Sequence, residues 1–304
     1  MKFGVWHDFR NPPQWHRPYD VLYRENLEQI VWAEQLGFES VWLSEHHVTD
    51  DGYLPSVFPM LAAIAQRTET MRIGSAILIA PFQHPIRFAE DAAVVDQMSG
   101  GRLELGLGLG YRDAEFEALG VPFGERARRT EELIEVARRA WAGGLVTPPP
   151  RQQPEPPLWL GGSTAAAARR AARLRCNFMA DAYVAPEVIR LYRELADGEV
   201  SINPSIYVGE REDVAEHFLY QYNRYREWGG GDLLESAEEL PRDRYLIGSP
   251  DEVAAGIRAI HDRTGCDRLF FWARPPGLSI DRSNHSLELF ATEVIPRVEA
   301  AART

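Results

Sequence analysis

Two adjacent histidines and a carboxylate follow a short apolar segment near the start of the chain. Residues 40–44 (SVWLS) lead directly into Glu45, His46 and His47. Histidine is the side chain whose unperturbed pKa lies nearest physiological pH, so it commonly transfers protons in enzymes. The apolar segment has the character of a buried strand, and the pattern predicts a proton-transfer site at its carboxyl end. A buried, hydrogen-bonded histidine with a structural role is the alternative for His46.

A metal site is the second kind of chemistry that adjacent histidines suggest. Neighbouring residues on a strand point to opposite faces, which disfavours one ion shared by His46 and His47. The His-Glu-x-x-His motif is absent. Metal-dependent barrel hydrolases typically carry His-x-His on the first strand, where this chain has Trp6-His7-Asp8. We therefore predict no metal site.

Alternating glycines mark the fourth apolar segment of the chain, at Gly106, Gly108 and Gly110. Side chains on a strand alternate between faces, so these three positions leave one face bare. Glycine in a strand marks close approach by a ligand or by another part of the chain. A slot for a flat aromatic cofactor and tight packing inside the fold are both consistent with this pattern. A Rossmann fingerprint is excluded because no Gly-x-x-Gly opens a helix here.

A second glycine pair stands at the start of a predicted helix. Gly161 and Gly162 are followed by Ser163 and Thr164, and then by an alanine-rich stretch. Free backbone N–H groups at a helix N-terminus, together with hydroxyl groups, form a site for an anion. These four residues therefore suit a phosphate group, and a plain helix cap is the alternative.

Strand and helix patterns alternate along the whole chain. Predicted strands cover residues 3–8, 40–44, 72–80, 103–109, 158–160, 178–180, 205–208 and 268–272. Predicted helices cover residues 26–36, 58–66, 85–98, 130–142, 164–175, 186–196, 213–228, 250–264 and 287–298. Eight strands, each followed by helical sequence, indicate the α/β class and a (β/α)8 TIM barrel, with a doubly wound sheet as the runner-up. The proline-rich stretch at 147–157 is interpreted as a stiff loop, so we expect a single domain over residues 1–304 with short insertions.

In such a barrel the functional site lies at the carboxyl ends of the strands. The segments that follow the predicted strands therefore meet at one mouth. They are His7-Asp8, Glu45-His46-His47, residues 81–84, Gly110-Tyr111-Arg112, Gly161 to Thr164, residues 181–183 and residues 272–274.

Composition limits the classes of partner. The 304 residues include 33 basic and 45 acidic side chains, for a net charge of −12, which opposes non-specific binding to nucleic acid or to an anionic membrane. Cys176 and Cys266 form no Cys-x-x-Cys pair, and we expect two buried, reduced thiols. No apolar run approaches the ~20 residues of a membrane span, and the N-terminal residues lack a signal-peptide pattern. We therefore expect a cytoplasmic protein with no nucleic-acid or membrane partner.

Several motifs resemble those of the bacterial luciferase-like, flavin-dependent monooxygenases. They are residues 37–47 (GFESVWLSEHH), 73–76 (IGSA), 84–87 (HPIR), 96–102 (DQMSGGR), 110–112 (GYR), 158–163 (LWLGGS) and 247–250 (IGSP). Together with Phe3-Gly4 they occur in order across nearly the whole chain. As a set they are specific for this family and much less specific for a substrate.

The resemblance implies a (β/α)8 barrel, commonly a homodimer, that binds reduced FMN or a deazaflavin at the carboxyl ends of the strands. For the FMN enzymes it also implies molecular oxygen, a small organic substrate and a separate flavin reductase. His46 matches the family's catalytic histidine beside the flavin, and Gly161, Gly162, Ser163 and Thr164 match the loop that holds the flavin phosphate. Ala76 matches a position under the flavin ring where the family often has a cis peptide, so we expect a cis bond between Ala76 and Ile77.

Two departures from bacterial luciferase affect the expected cofactor site. Gly108 stands where that enzyme has a cysteine, and Leu109 stands where it has an arginine that contacts the phosphate. Arg112 or Arg126 is a candidate to replace this arginine, and we add Gly108, Gly110, Tyr111 and Arg112 to the expected cofactor-binding residues. The glycine-rich residues 229–232 suggest a shortened lid, which argues against a long-chain aldehyde substrate and light emission.

The leading interpretation is therefore an FMN-dependent monooxygenase with His46 as its catalytic residue. A deazaflavin-dependent oxidoreductase, which moves a hydride without oxygen, is the first alternative. A flavin-binding protein without catalytic activity is the second, and a barrel that binds no flavin is the third.

Overall fold

The computed structural model describes residues 1–181, 183–242 and 244–301. Within them the strands are β1 (Lys2–His7), β2 (Ser40–Leu43), β3 (Arg72–Ile79), β4 (Leu103–Gly108), β5 (Leu158–Gly161), β6 (Asn177–Asp181), β7 (Val200–Asn203), β8 (Ser205–Val208), β9 (Tyr245–Gly248) and β10 (Arg268–Trp272). The α-helices are α1 (Tyr19–Gln35), α2 (Val57–Ala65), α3 (Pro85–Met98), α4 (Asp113–Ala118), α5 (Arg126–Ala142), α6 (Ala165–Arg173), α7 (Pro186–Leu195), α8 (Ala215–Trp228), α9 (Pro250–Thr264), α10 (Ile280–Leu289) and α11 (Ile295–Ala301). The tail end of the expected domain, residues 302–304, lies outside the described residues.

Eight of these strands close into a barrel, which confirms the predicted (β/α)8 fold. Their order around the barrel is β1-β10-β7-β6-β5-β4-β3-β2, and every neighbouring pair is parallel. Parallel neighbours require a crossover between consecutive strands, and helical segments supply it. All eight carboxyl ends therefore meet at one end of the barrel, which we call the mouth.

The seventh barrel strand differs from the prediction. Residues 205–208 were expected in the barrel, but Val200–Asn203 occupies that place, between β6 and β10. Pro204 follows directly, and proline cannot donate a ladder hydrogen bond. The chain then leaves the barrel, and β8 pairs with β9 in a separate two-stranded sheet. Pro204 thus separates two short strands, one inside the barrel and one outside it.

Aromatic side chains fill the interior of the barrel below the mouth. Trp42, Trp159 and Phe270 are fully buried, and Trp6 stacks on Trp272 with ring centroids 3.9 Å apart. Because these rings occupy the interior, the barrel is a packed core, as in other barrels of this class.

An ionic network closes the amino-terminal end of the barrel. The buried Glu104 accepts a hydrogen bond from the Trp159 indole at 2.6 Å and forms ion pairs with Arg72 at 2.6 Å and Arg268 at 2.8 Å. Buried carboxylates need such partners, since an unpaired buried charge is costly. Access for a ligand is therefore expected from the mouth.

Glycines and a capping box define the ends of two helices. Gly37 follows α1 with φ of 93°, and Gly265 ends α9 in the left-handed conformation that glycine favours. Ser249 and Glu252 form a capping box at the start of α9. Cys176 and Cys266 are buried free thiols, as expected. None of the helices in the described part of the chain is both long and apolar enough to cross a membrane.

Candidate active site at the barrel mouth

His46 lies just beyond β2, at the mouth, and only 7% of it is exposed. Its backbone N–H donates to the Leu54 carbonyl at 3.2 Å, which fixes the turn that follows the strand. Its ring nitrogen Nδ1 lies 2.8 Å from Oε1 of Glu115. The chain therefore holds this imidazole in one orientation, with Nδ1 directed at a carboxylate.

Glu115 is the carboxylate that connects His46, His47 and Arg112 at the mouth. It lies on the short helix α4 and is fully buried. Its Oε1 atom accepts hydrogen bonds from three donors, which are the His46 ring, the His47 backbone N–H at 2.8 Å and the Arg112 guanidinium at 3.0 Å. Burial alone would raise the pKa of Glu115, but these donors lower it below its usual value. Glu115 is therefore an ionised carboxylate beside His46.

The protonation state of His46 follows from its burial. Burial lowers the pKa of His46, and the hydrogen bond that its ring donates to Glu115 offsets only part of that effect. The neutral ring then carries its hydrogen on Nδ1, where Glu115 accepts it, and Nε2 presents a lone pair. Nε2 has no hydrogen-bond partner among the described residues. The arrangement can accept a proton at Nε2 and return it, with Glu115 stabilising the protonated ring.

Glu45 and His47 have a structural role beside His46 and do not take part in its proton transfer. Glu45 accepts a hydrogen bond from the Ile79 backbone at 2.5 Å and contacts Nε2 of His47 at 3.0 Å. It thereby connects the end of β2 to the end of β3. Burial lowers the pKa of His47, but the hydrogen bond to Glu45 and the negative charges of Glu45 and Glu115 together outweigh burial and raise that pKa above its usual value. The two adjacent histidines thus differ, since one is held neutral and the other is held towards its cationic form.

Four aromatic rings surround the imidazole of His46. Their centroids lie 4.7 Å (Tyr53), 4.8 Å (Trp228), 5.7 Å (Tyr111) and 6.3 Å (Tyr225) from that of His46. Trp228 also lies against Arg112, whose guanidinium carbon is 4.2 Å from the ring centroid. Two of the four, Tyr225 and Trp228, belong to the C-terminal part of α8, which covers the mouth. His46 and Glu115 are themselves buried, and a low local dielectric strengthens the interaction between them.

Helix α8 is attached to the loop after β2 by polar contacts. Tyr220 donates to Oδ2 of the buried Asp51 at 2.9 Å, and Arg224 forms ion pairs with Asp50 and Asp51. The hydroxyl groups of Tyr53 and Tyr225 lie 3.0 Å apart. These contacts explain why the end of α8 sits over His46.

The glycines of β4 make room for a neighbouring side chain. A Cβ at Gly108 would lie 1.6 Å from Cδ1 of Ile77, and a Cβ at Gly106 would lie 2.1 Å from the backbone oxygen of Ser75. The tight-packing alternative therefore describes both positions in this structure, and the bare slot is not present. The peptide bond between Ala76 and Ile77 is cis, as expected. Gly110 has φ of 73°, and Ile79 and Phe116 crowd the space where its Cβ would be.

The loop after β5 has the donors that a phosphate requires. Ser163 and Thr164 are exposed, and the Thr164 hydroxyl caps α6 by accepting from the Ala167 N–H at 3.2 Å. The N–H groups of residues 163–166 donate to no acceptor within the described part of the chain. Four free N–H groups, an exposed hydroxyl and a helix N-terminus fit a phosphate group. Gly162 is needed for packing, because a Cβ there would lie 2.4 Å from that of Ala167.

The two arginines considered for the phosphate have other contacts. Arg112 is buried, and its Nη1 donates to the His47 carbonyl at 2.8 Å as well as to Glu115. Arg126 donates to the Phe123 carbonyl at 3.0 Å and lies over the Phe123 ring. Arg112 and Tyr111 thus lie beside His46, whereas Arg126 lies at the start of α5. At the end of β6, the Tyr183 N–H donates to Asp181 at 2.7 Å, and Ala182 lies outside the described residues.

His7 was expected at the mouth and instead points outward. Its Nδ1 lies 3.1 Å from Oδ1 of Asn26 on α1, in the layer between barrel and helices. Residues alternate along β1, so Trp6 and Asp8 face the interior and His7 does not. Burial lowers the pKa of His7 to about 4, from 6.5.

This pKa predicts a pH dependence of stability. Unfolded His7 binds a proton below about pH 6.5, whereas folded His7 stays neutral down to about pH 4. The contribution of the neutral, buried ring to stability is therefore complete above about pH 6.5 and decreases as the pH falls towards 4. We expect His7→Asn to make the free energy of unfolding less dependent on pH, by about 2 kcal/mol between pH 7 and pH 5. Urea titrations of both proteins at the two pH values measure this. An equal pH dependence in both proteins would contradict it.

Some residues of the site were missed in the sequence. Glu115 follows Arg112 by three positions, which is a helical ion-pair spacing, but Asp113 and Glu117 are acidic too and nothing distinguished them. Arg10, Tyr225 and Trp228 reach the mouth only through tertiary packing, from the loop after β1 and from α8. Among the described residues, no group of three or more His, Cys, Asp or Glu side chains is arranged to hold a metal ion.

The chain belongs to the luciferase-like monooxygenase family, whose model matches residues 1–267. It is 25% identical over 324 aligned positions to the oxygenase component of the flavin-dependent trigonelline monooxygenase of Acinetobacter baylyi, covering 90% of this chain and 89% of that protein. It is 34% identical to the 4-hydroxyprotoasukamycin monooxygenase of Streptomyces nodosus subsp. asukaensis, over 40% of this chain and 33% of that protein. The family predicted from the motifs is confirmed, and with it the expectation of an oxidoreductase.

Solved structures share the fold over nearly the full length. Monooxygenase RslO1 from Streptomyces bottropensis matches with a TM-score of 0.87 and 25% identity, over 97% of this chain and 99% of that one. The oxygenating constituent of 3,6-diketocamphane monooxygenase from Pseudomonas putida, in complex with FMN, matches with a TM-score of 0.81 and 18% identity, over 98% of each chain. An F420-dependent secondary alcohol dehydrogenase matches with a TM-score of 0.78 and 18% identity, over 98% of this chain and 99% of that one. The fold alone therefore accommodates both kinds of flavin.

Proposed function

We propose that this chain is the oxygenase of an FMN-dependent monooxygenase, which uses reduced FMN and molecular oxygen to oxygenate a small organic substrate. The observation that carries the proposal is the buried, neutral His46, which Glu115 holds with Nε2 unpartnered at the barrel mouth. Flavin binding without catalysis does not need an oriented proton acceptor. The similarity to a named flavin-dependent oxygenase component over 90% of the chain also supports a monooxygenase function.

The cofactor would bring the redox chemistry, which is the transfer of electrons to oxygen. In this proposal its phosphate binds the N–H groups of residues 163–166 and the Ser163 hydroxyl, with Gly161, Gly162 and Thr164 shaping the loop. Ala76, Gly110, Tyr111 and Arg112 would complete the cofactor-binding residues. Gly108, which was also expected among them, instead makes room for the side chain of Ile77 in this structure.

The protein's own contribution to the reaction is proton transfer in a water-poor site. His46 accepts a proton at Nε2 and returns it later, and Glu115 stabilises the imidazolium in between. The aromatic rings of Tyr53, Tyr225 and Trp228 would limit the access of water to the proton being moved. Arg112 in turn balances the charge of Glu115, so that the carboxylate stays ionised.

Two partners complete the proposal. A separate flavin reductase supplies the reduced FMN, consistent with the relative that is named as an oxygenase component.

The protein forms a homodimer, and the exposed apolar side chains Val94 and Met98 on α3 and Leu119 beside them offer a surface for it. Light scattering coupled to size-exclusion chromatography measures the mass of the protein in solution, which we expect to be that of two chains.

A change in the loop after β5 tests how the flavin is held. Ser163→Asp adds a negative charge at an exposed position beside the proposed phosphate site, so we expect FMN to bind about tenfold more weakly and riboflavin, which lacks the phosphate, to bind unchanged. Ser279→Asp is the matched control, because Ser279 is an exposed cap of another helix, α10, and aspartate is an equally good cap. Equal weakening of FMN and riboflavin would contradict this placement.

A deazaflavin-dependent oxidoreductase is the second candidate, and the F420-dependent alcohol dehydrogenase of the same fold favours it. Competition between FMN and F420 for the protein separates the two. Preferential binding of F420, with no oxygen consumption by the reduced complex, would replace the first proposal with the second.

A further inference from the structure

Arg10 is a buried cation at the mouth whose hydrogen-bonding capacity is only partly used. It follows β1 by three residues and is 3% exposed. Its Nε donates to Oδ2 of Asp8 at 2.9 Å, and Nη2 lies 2.8 Å from the same oxygen. Within the described residues neither Nη1 nor Nη2 donates a well-aligned hydrogen bond. Buried donors in native proteins nearly always have an acceptor, so we expect a bound ligand to supply one for Nη1 and Nη2 of Arg10.

The surroundings of Arg10 belong to the active site. Its guanidinium carbon lies 4.9 Å from the ring centroid of Tyr53 and 5.1 Å from that of Tyr225. Tyr53 is also a neighbour of His46, and Oδ2 of Asp8 also accepts a hydrogen bond from the Trp272 indole at 2.8 Å. The guanidinium is therefore held rigidly, with aromatic rings around it, in the same aromatic group that surrounds His46.

Charge balance indicates the kind of acceptor that fits. The charge of Arg10 is matched by Asp8, that of Arg112 by Glu115, and that of Arg224 by Asp50 and Asp51. A further anion at Arg10 would be a net buried charge, which is costly. An uncharged oxygen, such as a ketone or aldehyde carbonyl, satisfies the free N–H groups without that cost.

We propose that Arg10 is a specificity-determining residue that binds an uncharged acceptor oxygen on an apolar or aromatic substrate. The inference rests on the proposed function, because it takes the mouth to be the substrate site. The barrel order places β1 and β5 opposite each other across the mouth. Arg10 therefore lies across the mouth from the loop that fits the flavin phosphate, which favours the substrate over the phosphate as its ligand.

Three small probes of similar shape test the inference. Acetophenone carries a carbonyl oxygen, α-methylstyrene replaces that oxygen with CH2, and benzoate replaces the methyl ketone with a carboxylate. Quenching of tryptophan fluorescence measures their binding, with and without FMN. A hydrogen bond to a charged donor predicts that acetophenone binds the wild-type protein about tenfold or more tightly than α-methylstyrene, and at least as tightly as benzoate.

Variants of Arg10 assign the preference to its guanidinium. In Arg10→Met the ratio of the two affinities is expected to fall to about one. Arg10→Lys keeps the charge beside Asp8 but loses the forked donor, and is expected to retain only part of the preference, which keeps the test valid if the methionine variant folds poorly. Arg268→Met is the matched control, because Arg268 pairs with Glu104 and Glu199 and lies over Trp159 at the opposite end of the barrel.

The outcomes separate this inference from the proposed function. Equal binding of acetophenone and α-methylstyrene to the wild-type protein, including no detectable binding of either, would overturn the inference. So would an unchanged preference in the Arg10 variants, tighter binding of benzoate than of acetophenone, or a loss of FMN affinity in Arg10→Met with the ketone preference intact. Failure of FMN to bind a protein that keeps an Arg10-dependent ketone preference would overturn the proposed function alone.

Discussion

Replacing His46 with alanine is expected to lower kcat by about 10²–10⁴-fold while FMN still binds, because general acid–base catalysis typically contributes this much. The imidazole is the group at the mouth whose burial and hydrogen bond to Glu115 leave one ring nitrogen ready to accept a proton. Once the substrate is known, steady-state kinetics measure the loss. Fluorescence titration with FMN measures the retained binding.

The control for this variant is a histidine on the surface. His285 lies on α10, is exposed and is outside the mouth, so His285→Ala is expected to leave kcat unchanged. If His46→Ala retained wild-type turnover, His46 would be the structural histidine that the sequence left open. If it lost FMN affinity to the same extent as kcat, its main role would be in binding the flavin.

Replacing Glu115 with glutamine is expected to lower kcat by about 10–10²-fold and to move the acidic limb of the pH–rate profile to lower pH. The amide still accepts the hydrogen bond from Nδ1 of His46 but carries no charge. Protonated His46 then loses its stabilising partner, so the pKa of His46 falls further below its usual value. Because the neutral ring is the active form, activity persists to lower pH, although the proton is accepted less readily.

This shift in pH profile separates positioning from a purely structural role. Glu117 lies on the same short helix but is exposed, so Glu117→Gln is expected to change neither kcat nor the profile. A Glu115→Gln protein that lost activity with an unchanged profile would indicate that Glu115 only maintains the fold around Arg112 and His47.

The elements of the barrel could be predicted because their signals are local. Alternating apolar strands and capped helices identify the fold, and the position of His46 after β2 then places it at the mouth. The boundary at Pro204 illustrates the limit, since two four-residue segments, VSIN and SIYV, flank it and only closure of the barrel decides which of them lies inside. His7 was misplaced for a related reason, because strand alternation sends its side chain outward whereas that of Trp6 points inward.

The partners of the site residues could not be predicted because they meet only in three dimensions. Nothing in the sequence connects His46 with Glu115, which lies 69 positions further along the chain. The glycines of β4 permit either a ligand or a neighbouring side chain, and the conformation of Ile77 decides between them at Gly108. Arg10 gave no signal either, because its significance depends on Asp8, Tyr53 and Tyr225 around it.

The reaction of the protein-bound reduced flavin with oxygen tests the proposed function most directly. The protein is mixed anaerobically with reduced FMN, then with oxygenated buffer in a stopped-flow instrument, and the flavin absorbance is followed against free reduced FMN and against the His46→Ala protein. We predict a transient absorbance that free FMN does not show and that His46→Ala alters in lifetime. Reoxidation of the flavin at the rate and with the spectra of free FMN, in the presence of saturating protein, would contradict a monooxygenase function.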